Sequence, residues 1–269
     1  MKISYVKIFI KLTLTINCCV IYGNIQYYGQ DRQDQFINEH IFKNKTNGIF
    51  VDVGAHDGIT YSNTYFFERS LNWTGICIEP LPEIFQKLEK NRTATCYPVC
   101  AGNKNGTIDF LQIEGSFGNA EMLSGIFDQY DARHLDRINQ AMGRFRGSSK
   151  IIQIQSRTLT SLLQENNITE VDFLSIDVEG GEKSVLEGLD LTLIKVKCMI
   201  IENNYRDTFN AIKDMLIAHG YLHFATTPLD EIFILPELLE NIIPHNLPLQ
   251  VCQPSNKKQN SNPMQQEVK

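Results

Sequence analysis

The chain has no stretch of about twenty apolar residues, no Cys-x-x-Cys pair, no Gly-x-Gly-x-x-Gly run and no excess of positive charge. Each absence excludes something. The apolar run Leu12–Tyr22 falls short of the ~20 residues that a membrane-spanning helix needs. The seven cysteines (Cys18, Cys19, Cys77, Cys96, Cys100, Cys198 and Cys252) lack histidine partners at zinc-ligand spacing, which argues against a structural zinc module. They are also too thinly spread for a disulfide framework, so buried free thiols are expected. A net charge of -6 and a pI near 5.6 give no general attraction for phosphate backbones, and no nucleic-acid partner is expected. What is present is a globular composition, 42% hydrophobic and 21% charged over 269 residues, enough for one large domain with a sizeable core.

Lys2, Lys7 and Lys11 precede the apolar run, and Gly23 follows it. Residues 1–23 therefore resemble a signal peptide or another leader segment, with no stable transmembrane span. Five Asn-x-Thr sequons (Asn44, Asn72, Asn91, Asn105 and Asn167) lean towards the secretory pathway; a leader on a cytoplasmic protein is the other reading. Residues 24–252 form the expected domain, and the polar Asn/Gln/Lys-rich stretch 253–269 reads as a disordered tail.

From Ile49 onward, short apolar runs alternate with helical patterns, the sign of a mostly parallel sheet covered on both faces. Strands are expected at Ile49–Val53, Gly75–Ile78, Thr95–Val99, Thr107–Gln112, Val171–Ile176 and Val196–Ile201. A late antiparallel hairpin is expected near Leu222–Ala225 and Glu231–Leu235. Helices are expected at Ser62–Ser70, Pro82–Asn91, Leu159–Asn166, Glu182–Leu189 and Thr208–His219. Residues 114–150 break this rhythm and read as an insertion over the sheet edge, a lid.

The first strand runs into Gly54-Ala55-His56-Asp57-Gly58, the strand-turn-helix position where a doubly wound sheet binds nucleotides. Asp52 and Asp57 flank this turn and would repel a pyrophosphate at short range. They would accept S-adenosylmethionine, with its sulfonium and ammonium, while backbone N–H groups meet its carboxylate. The second strand ends at Glu79-Pro80, about twenty residues on, where a carboxylate can accept both hydroxyls of a ribose. Asp52, Gly54, Ala55, His56, Asp57, Gly58, Glu79, Pro80 and Asp177 form the expected cofactor set.

These residues sit in blocks that make the chain resemble the FkbM-type methyltransferase family from about Tyr28 to Pro236. The blocks are GIFVDVGAHDG (Gly48–Gly58), SNTYFFE (Ser62–Glu68), WTGICIEP (Trp73–Pro80), EMLSGI (Glu121–Ile126), FLSIDVEGGE (Phe173–Glu182) and IIENNY (Ile201–Tyr205). The resemblance implies a class I, Rossmann-like α/β fold with a seven-stranded doubly wound sheet. It also implies S-adenosylmethionine-dependent O-methylation of a small-molecule or glycan hydroxyl. Thr160, where the family often has Asp, and Gln33-Asp34 after Arg32 depart from the pattern outside the cofactor blocks.

A second acidic constellation follows. One strand delivers Asp177, Glu179 and Glu182, and the next delivers Glu202, Asn203 and Asn204. Asp177, Glu202 and Asn203 are the candidate ligands of a Mg2+ ion that would bring an acceptor hydroxyl close. The alternative is that Glu179 and Glu182 cap a helix while Asp177 faces the donor or acceptor alone. Asp177, His56 and His134 are the candidate bases. Against the enzyme stands a non-catalytic, Star-like methyltransferase-fold module of the secretory pathway, which would have no need to keep Asp52, Glu79 and Asp177. An NAD-dependent oxidoreductase is disfavoured by the glycine spacing.

Overall fold

A computed structural model describes residues 25–115, 120–145, 147–205 and 209–242. The leader at 1–23 and the tail at 253–269 lie outside these residues.

Seven strands form the main sheet in the order β10-β11-β9-β8-β1-β2-β3. They are β1 (Ile49–Val53), β2 (Thr74–Ile78), β3 (Thr95–Tyr97), β8 (Glu170–Ile176), β9 (Lys195–Glu202), β10 (Leu222–Thr226) and β11 (Asp230–Ile234). β1 lies parallel between β2 and β8, with Val51 opposite both Ile76 and Leu174. β9 continues the parallel set, while β11 runs antiparallel to β9 and β10 antiparallel to β11.

Alternation along each strand sends side chains to two cores. Val51, Val53, Ile76, Ile78, Leu174 and Ile176 face one layer. It is covered by α5 (Leu159–Glu165), α6 (Glu182–Glu187) and α7 (Asn210–Ala218). Phe50, Cys77, Phe173, Cys198 and Ile200 face the other. There α1 (Gln33–Phe36), its π-type continuation Ile37–Phe42 and α2 (Tyr65–Leu71) pack. Trp73 anchors this second layer, 2% exposed, its indole N–H donating to Lys45 O at 2.7 Å and its ring 4.8 Å from Phe67 and 4.9 Å from Phe42. Burying such a ring contributes several kcal/mol, about 25 cal/mol for each Å2 of apolar surface. Gly48 is required here, since a Cβ would stand 2.5 Å from the indole.

The helices begin and end where the sequence dictates. α3 (Pro82–Asn91) carries its proline in the first turn, where a missing N–H costs nothing. Thr158 caps α5 by accepting from Ser161 N. Thr160 clamps the same region, its hydroxyl donating to Gly188 O at 2.9 Å. Asp34 and Gln33 serve the fold as well: Asp34 accepts from Tyr28 N at 2.6 Å, and Gln33 donates to Asp230 at 2.9 Å. Cys77, Cys100 and Cys198 are buried free thiols, and Cys96 is a half-buried one.

One expectation needs correcting. The segment expected as a lid insertion is built on a second sheet of order β4-β7-β5-β6. Its strands are β4 (Cys100–Ala101), β5 (Gly106–Glu114), β6 (Gly125–Ile126) and β7 (Ser148–Arg157). The strand expected at Thr107–Gln112 belongs to it, and so do Ser148 and Ser149 at the end of the expected insertion. Ile152 and Ile154 on β7 face β5 residues Phe110 and Ile108. Between the strands, 3-10 turns at Ala120–Leu123 and Phe127–Gln129 and the helix α4 (Ala132–Phe145) make the cover itself. The ends of this excursion meet, because Gly102 N donates to Arg157 O at 3.0 Å and Thr158 N to Asn105 Oδ1 at 2.9 Å.

Candidate active site

The C-terminal ends of β1, β2 and β8 meet at the Gly54 turn. Gly54 N and Ala55 N both donate to Ile78 O at 3.0 Å, and Asp177 N donates to Val53 O at 3.0 Å. Gly54 adopts φ +81, and a Cβ there would lie 1.8 Å from Asp177 O. Only glycine fits this close approach. His56 has φ +48, a left-handed conformation that turns its N–H onto Glu79 Oε2 at 3.1 Å.

Beside the turn lies a cavity of about 450 Å3, within the range of small-molecule sites. Its wall includes Asp52, Gly54, Ala55, His56, Glu79, Pro80 and Asp177. Ser62, Asn63 and Ser175 line it on the main-sheet side, Glu121, Met122 and Arg137 on the cover side, and Glu179, Glu202 and Asn204 at the acidic end.

Glu79, 6% exposed, accepts from His56 N through one oxygen and from Leu81 N at 2.8 Å through the other. Burial pushes its carboxyl up to about 7 against these hydrogen bonds, and the nearby charges of Asp52 and Glu121 add to the effect. Asp52 is held from behind: Ser62 and Thr64 hydroxyls donate to its Oδ2, and Arg92 Nη1 stands 3.4 Å away. The Arg92 side chain is fully buried. It also pairs with Glu68, donates to Gly58 O and Thr64 Oγ1, and lies 5.0 Å over the Phe50 ring.

The acidic end joins β8 to β9. Asp177 is exposed on the cavity side, while desolvation by the groups packed around its carboxyl pushes it up to about 6. Glu179, at φ +57, turns inward and meets Arg137 Nη1 at 3.0 Å and Asn204 Nδ2 at 3.2 Å. Burial, then the Asp177 charge, push Glu179 up to about 8. Glu202 is 8% exposed, its Oε2 has no hydrogen-bond partner, and burial with the charge of Asp177 raises it well above the carboxylate range. One carboxylate oxygen each from Asp177, Glu179 and Glu202 lie within 4.8 Å of one another. Glu182 alone plays the expected capping part, accepting from Gly180 N at 2.9 Å ahead of α6.

Four expected site residues stand elsewhere. Asp57 and Gly58 are absent from the wall. Asp57 closes the turn by accepting from Ile59 N, Thr60 N and Thr60 Oγ1, and these bonds hold its carboxyl low despite burial. Gly58 backs onto Leu88 and Arg92, which a Cβ would crowd at 2.8 and 2.7 Å. Asn203 points to the opposite side of β9 from Glu202 and donates to Glu231 Oε1 at 2.9 Å, because neighbours in an extended strand face opposite ways. His134 is 1% exposed and absent from the wall. It stacks on Tyr130 at 4.7 Å inside the cover, and burial lowers its pKa, which disfavours the charged form.

His56 does reach the cavity, with Nε2 3.4 Å from Glu121 Oε1 on the cover and Nδ1 without a partner. Residues the sequence reading gave no role in the site are Glu121, Arg137, Asn63 and, as an inward-facing acid, Glu179; Asn204 was placed at the acidic strand end without one. Glu121 carried a signal, since it opens the EMLSGI block; Arg137 carried only its place on an amphipathic helix.

A family model described as the methyltransferase FkbM domain matches residues 52–223, more than half of the chain. The 2-O-methyltransferase NoeI of Sinorhizobium fredii is 26% identical over 183 residues, spanning 64% of this chain and 72% of that protein. Among solved structures, the methyltransferase FkbM of Methylobacillus flagellatus aligns with TM-score 0.43 and 14% identity over 70% of this chain and 43% of its own. The N-terminal domain of human METTL16 in complex with SAH aligns with TM-score 0.38 and 13% identity over 74% of this chain and 66% of its own. With its motif blocks gathered around one cavity at the carboxyl ends of a Rossmann-like sheet, the chain belongs to the FkbM methyltransferase family.

Proposed function

We propose that the protein is an S-adenosylmethionine-dependent O-methyltransferase that acts on a hydroxyl of a small molecule or glycan. The observation that carries the reading is the convergence of the Gly54 turn, Glu79 and Asp177 on one cavity. The relative named a 2-O-methyltransferase supports a hydroxyl acceptor.

The residues present fit the donor. The Gly54–His56 turn lines the cavity, so its backbone can face a ligand there. Glu79 already accepts two N–H groups, and its remaining lone pairs suit a ribose diol. Asp52, fixed by Arg92, Ser62 and Thr64, keeps the turn negative beside a cationic ligand. When bound, S-adenosylmethionine supplies an electrophilic methyl group on a sulfonium. The chain contributes alignment, exclusion of water by the cover, and a proton acceptor at the cavity wall. Asp177 and His56 both reach that wall, and burial, which raises the Asp177 carboxyl to about 6, makes it a stronger base than an ordinary carboxylate when no ion occupies it.

The test is calorimetry on the full chain. Micromolar binding of S-adenosylmethionine, weakened at least about tenfold in Glu79→Ala, is the expected result, followed by transfer of labelled methyl groups to a saccharide panel. Folded protein that binds no donor would refute the reading and favour the non-catalytic module.

A further inference from the structure

The acidic end of the cavity holds more negative charge than the donor reading uses. We propose that Asp177, Glu179 and Glu202 bind one hard divalent cation, of the Mg2+ or Mn2+ class, that holds the acceptor. The use made of the ion rests on the methyltransferase reading; its binding does not.

Geometry gives the first argument. Three carboxylates delivered by two adjacent parallel strands bring one oxygen each to within 4.8 Å of the others. Ligand oxygens around an octahedral Mg2+ at about 2.1 Å stand about 3 to 4 Å apart. Side-chain rotations that bring the oxygens about 1–2 Å closer close the difference.

The second argument is independent of the cluster. Glu202 is 8% exposed, lies on the cavity wall, and leaves Oε2 without any hydrogen-bond donor. A buried polar oxygen in that condition is costly. Its strand neighbour shows the contrast: Asn203 finds Glu231 and Leu229 O. Glu182, the fourth acid, is satisfied by backbone N–H groups and takes no part.

Charge gives the third. Arg137 sets one positive charge against the three carboxylates through its contact with Glu179. His134 Nδ1 stands 3.5 Å from Glu179 as well. A site this rich in carboxylate oxygen suits a hard dication.

Three protein oxygens leave half of an octahedron open. Asp177 faces the open cavity, so the remaining positions point at the space an acceptor enters. The acceptor class that suits them has a hydroxyl with a second oxygen on the neighbouring carbon, as in a vicinal diol of a sugar. Two such oxygens would replace two waters, and the ion would lower the pKa of the hydroxyl to be methylated.

The experiment titrates Mn2+ into the full chain without donor, following free Mn2+ by electron paramagnetic resonance, with Mg2+ as competitor. One Mn2+ per chain, displaced by Mg2+ and weakened at least about tenfold in Glu202→Gln and in Glu179→Gln, is expected. Thermal melts check the fold: wild type gains stability on adding Mg2+ and Glu202→Gln does not. Glu114→Gln, an exposed acid paired with Lys150 far from the cavity wall, binds Mn2+ like wild type. No Mn2+ binding at millimolar metal, or undiminished binding in both cavity variants, overturns the proposal. Donor calorimetry on the same samples separates the two readings: donor binding without metal binding sinks the ion site alone, and metal binding without donor binding sinks the methyltransferase reading alone.

Discussion

Replacing Glu79 by glutamine should change how the stability of the ligand-free protein depends on pH. Glu79 is 6% exposed, and burial moves its carboxyl from 4.5 to about 7. A folded-state pKa above the unfolded one means stability that is complete below about 4.5 and is lost as pH rises through about 7. The shift is worth roughly 3 kcal/mol between the two protonation states. Glutamine does not titrate, but its amide presents N–H to one of the two N–H groups that Glu79 accepts, from His56 and Leu81. That mismatch costs about 1–2 kcal/mol at every pH. Glu79→Gln should therefore be less stable than wild type at pH 5 and more stable at pH 8, with the curves crossing between about pH 5 and 6. Urea denaturation of both proteins at four values from pH 5 to 8 measures the difference, in which the other buried acids cancel to first order. Parallel curves, with a constant gap, would refute the linkage and place the Glu79 carboxyl near its ordinary range.

Two further outcomes follow from the same region. Gly54→Ala should cost at least about 2 kcal/mol, because φ +81 and a Cβ 1.8 Å from Asp177 O act together; it should also abolish donor binding, and a variant with wild-type melting temperature would contradict the close approach. Arg92→Met leaves Asp52 and Glu68 without their buried cation and should cost about 3–5 kcal/mol, read as a drop in denaturant midpoint; a loss under about 1 kcal/mol would mean that the pair is solvated.

The main sheet was legible because its strands are buried on both faces and bounded by glycine, proline or polar residues. β1 and α3 fall where the pattern puts them, the latter fixed by Pro82. β7 was missed although Ile152, Ile154 and Ser156 alternate along it, since its outer face is exposed and its partner β5 lies some forty residues upstream. Local pattern carries little of such a pairing. The cofactor turn was readable as a unit but not residue by residue: Asp57 and Gly58 share its sequence block and serve only to close it. Asn203 failed for a geometric reason, because two neighbours on one strand cannot both face the same cavity. Glu179 was read as a helix cap because a left-handed glutamate is rare and nothing in the sequence announces one.

The excursion that covers the cavity leaves and rejoins the chain at one place, Gly102 beside Arg157 and Asn105 beside Thr158. Such a module is topologically neutral to the sheet beneath it. Its length can grow or shrink with only a logarithmic change in closure entropy, and its strands pair with one another and with β4 rather than with the seven-stranded sheet. Evolution or an engineer can thus exchange the roof, with its Glu121 and Arg137, while the floor that holds Glu79 and the Gly54 turn stays fixed. Diversity of acceptors on one conserved donor platform is the behaviour this wiring permits.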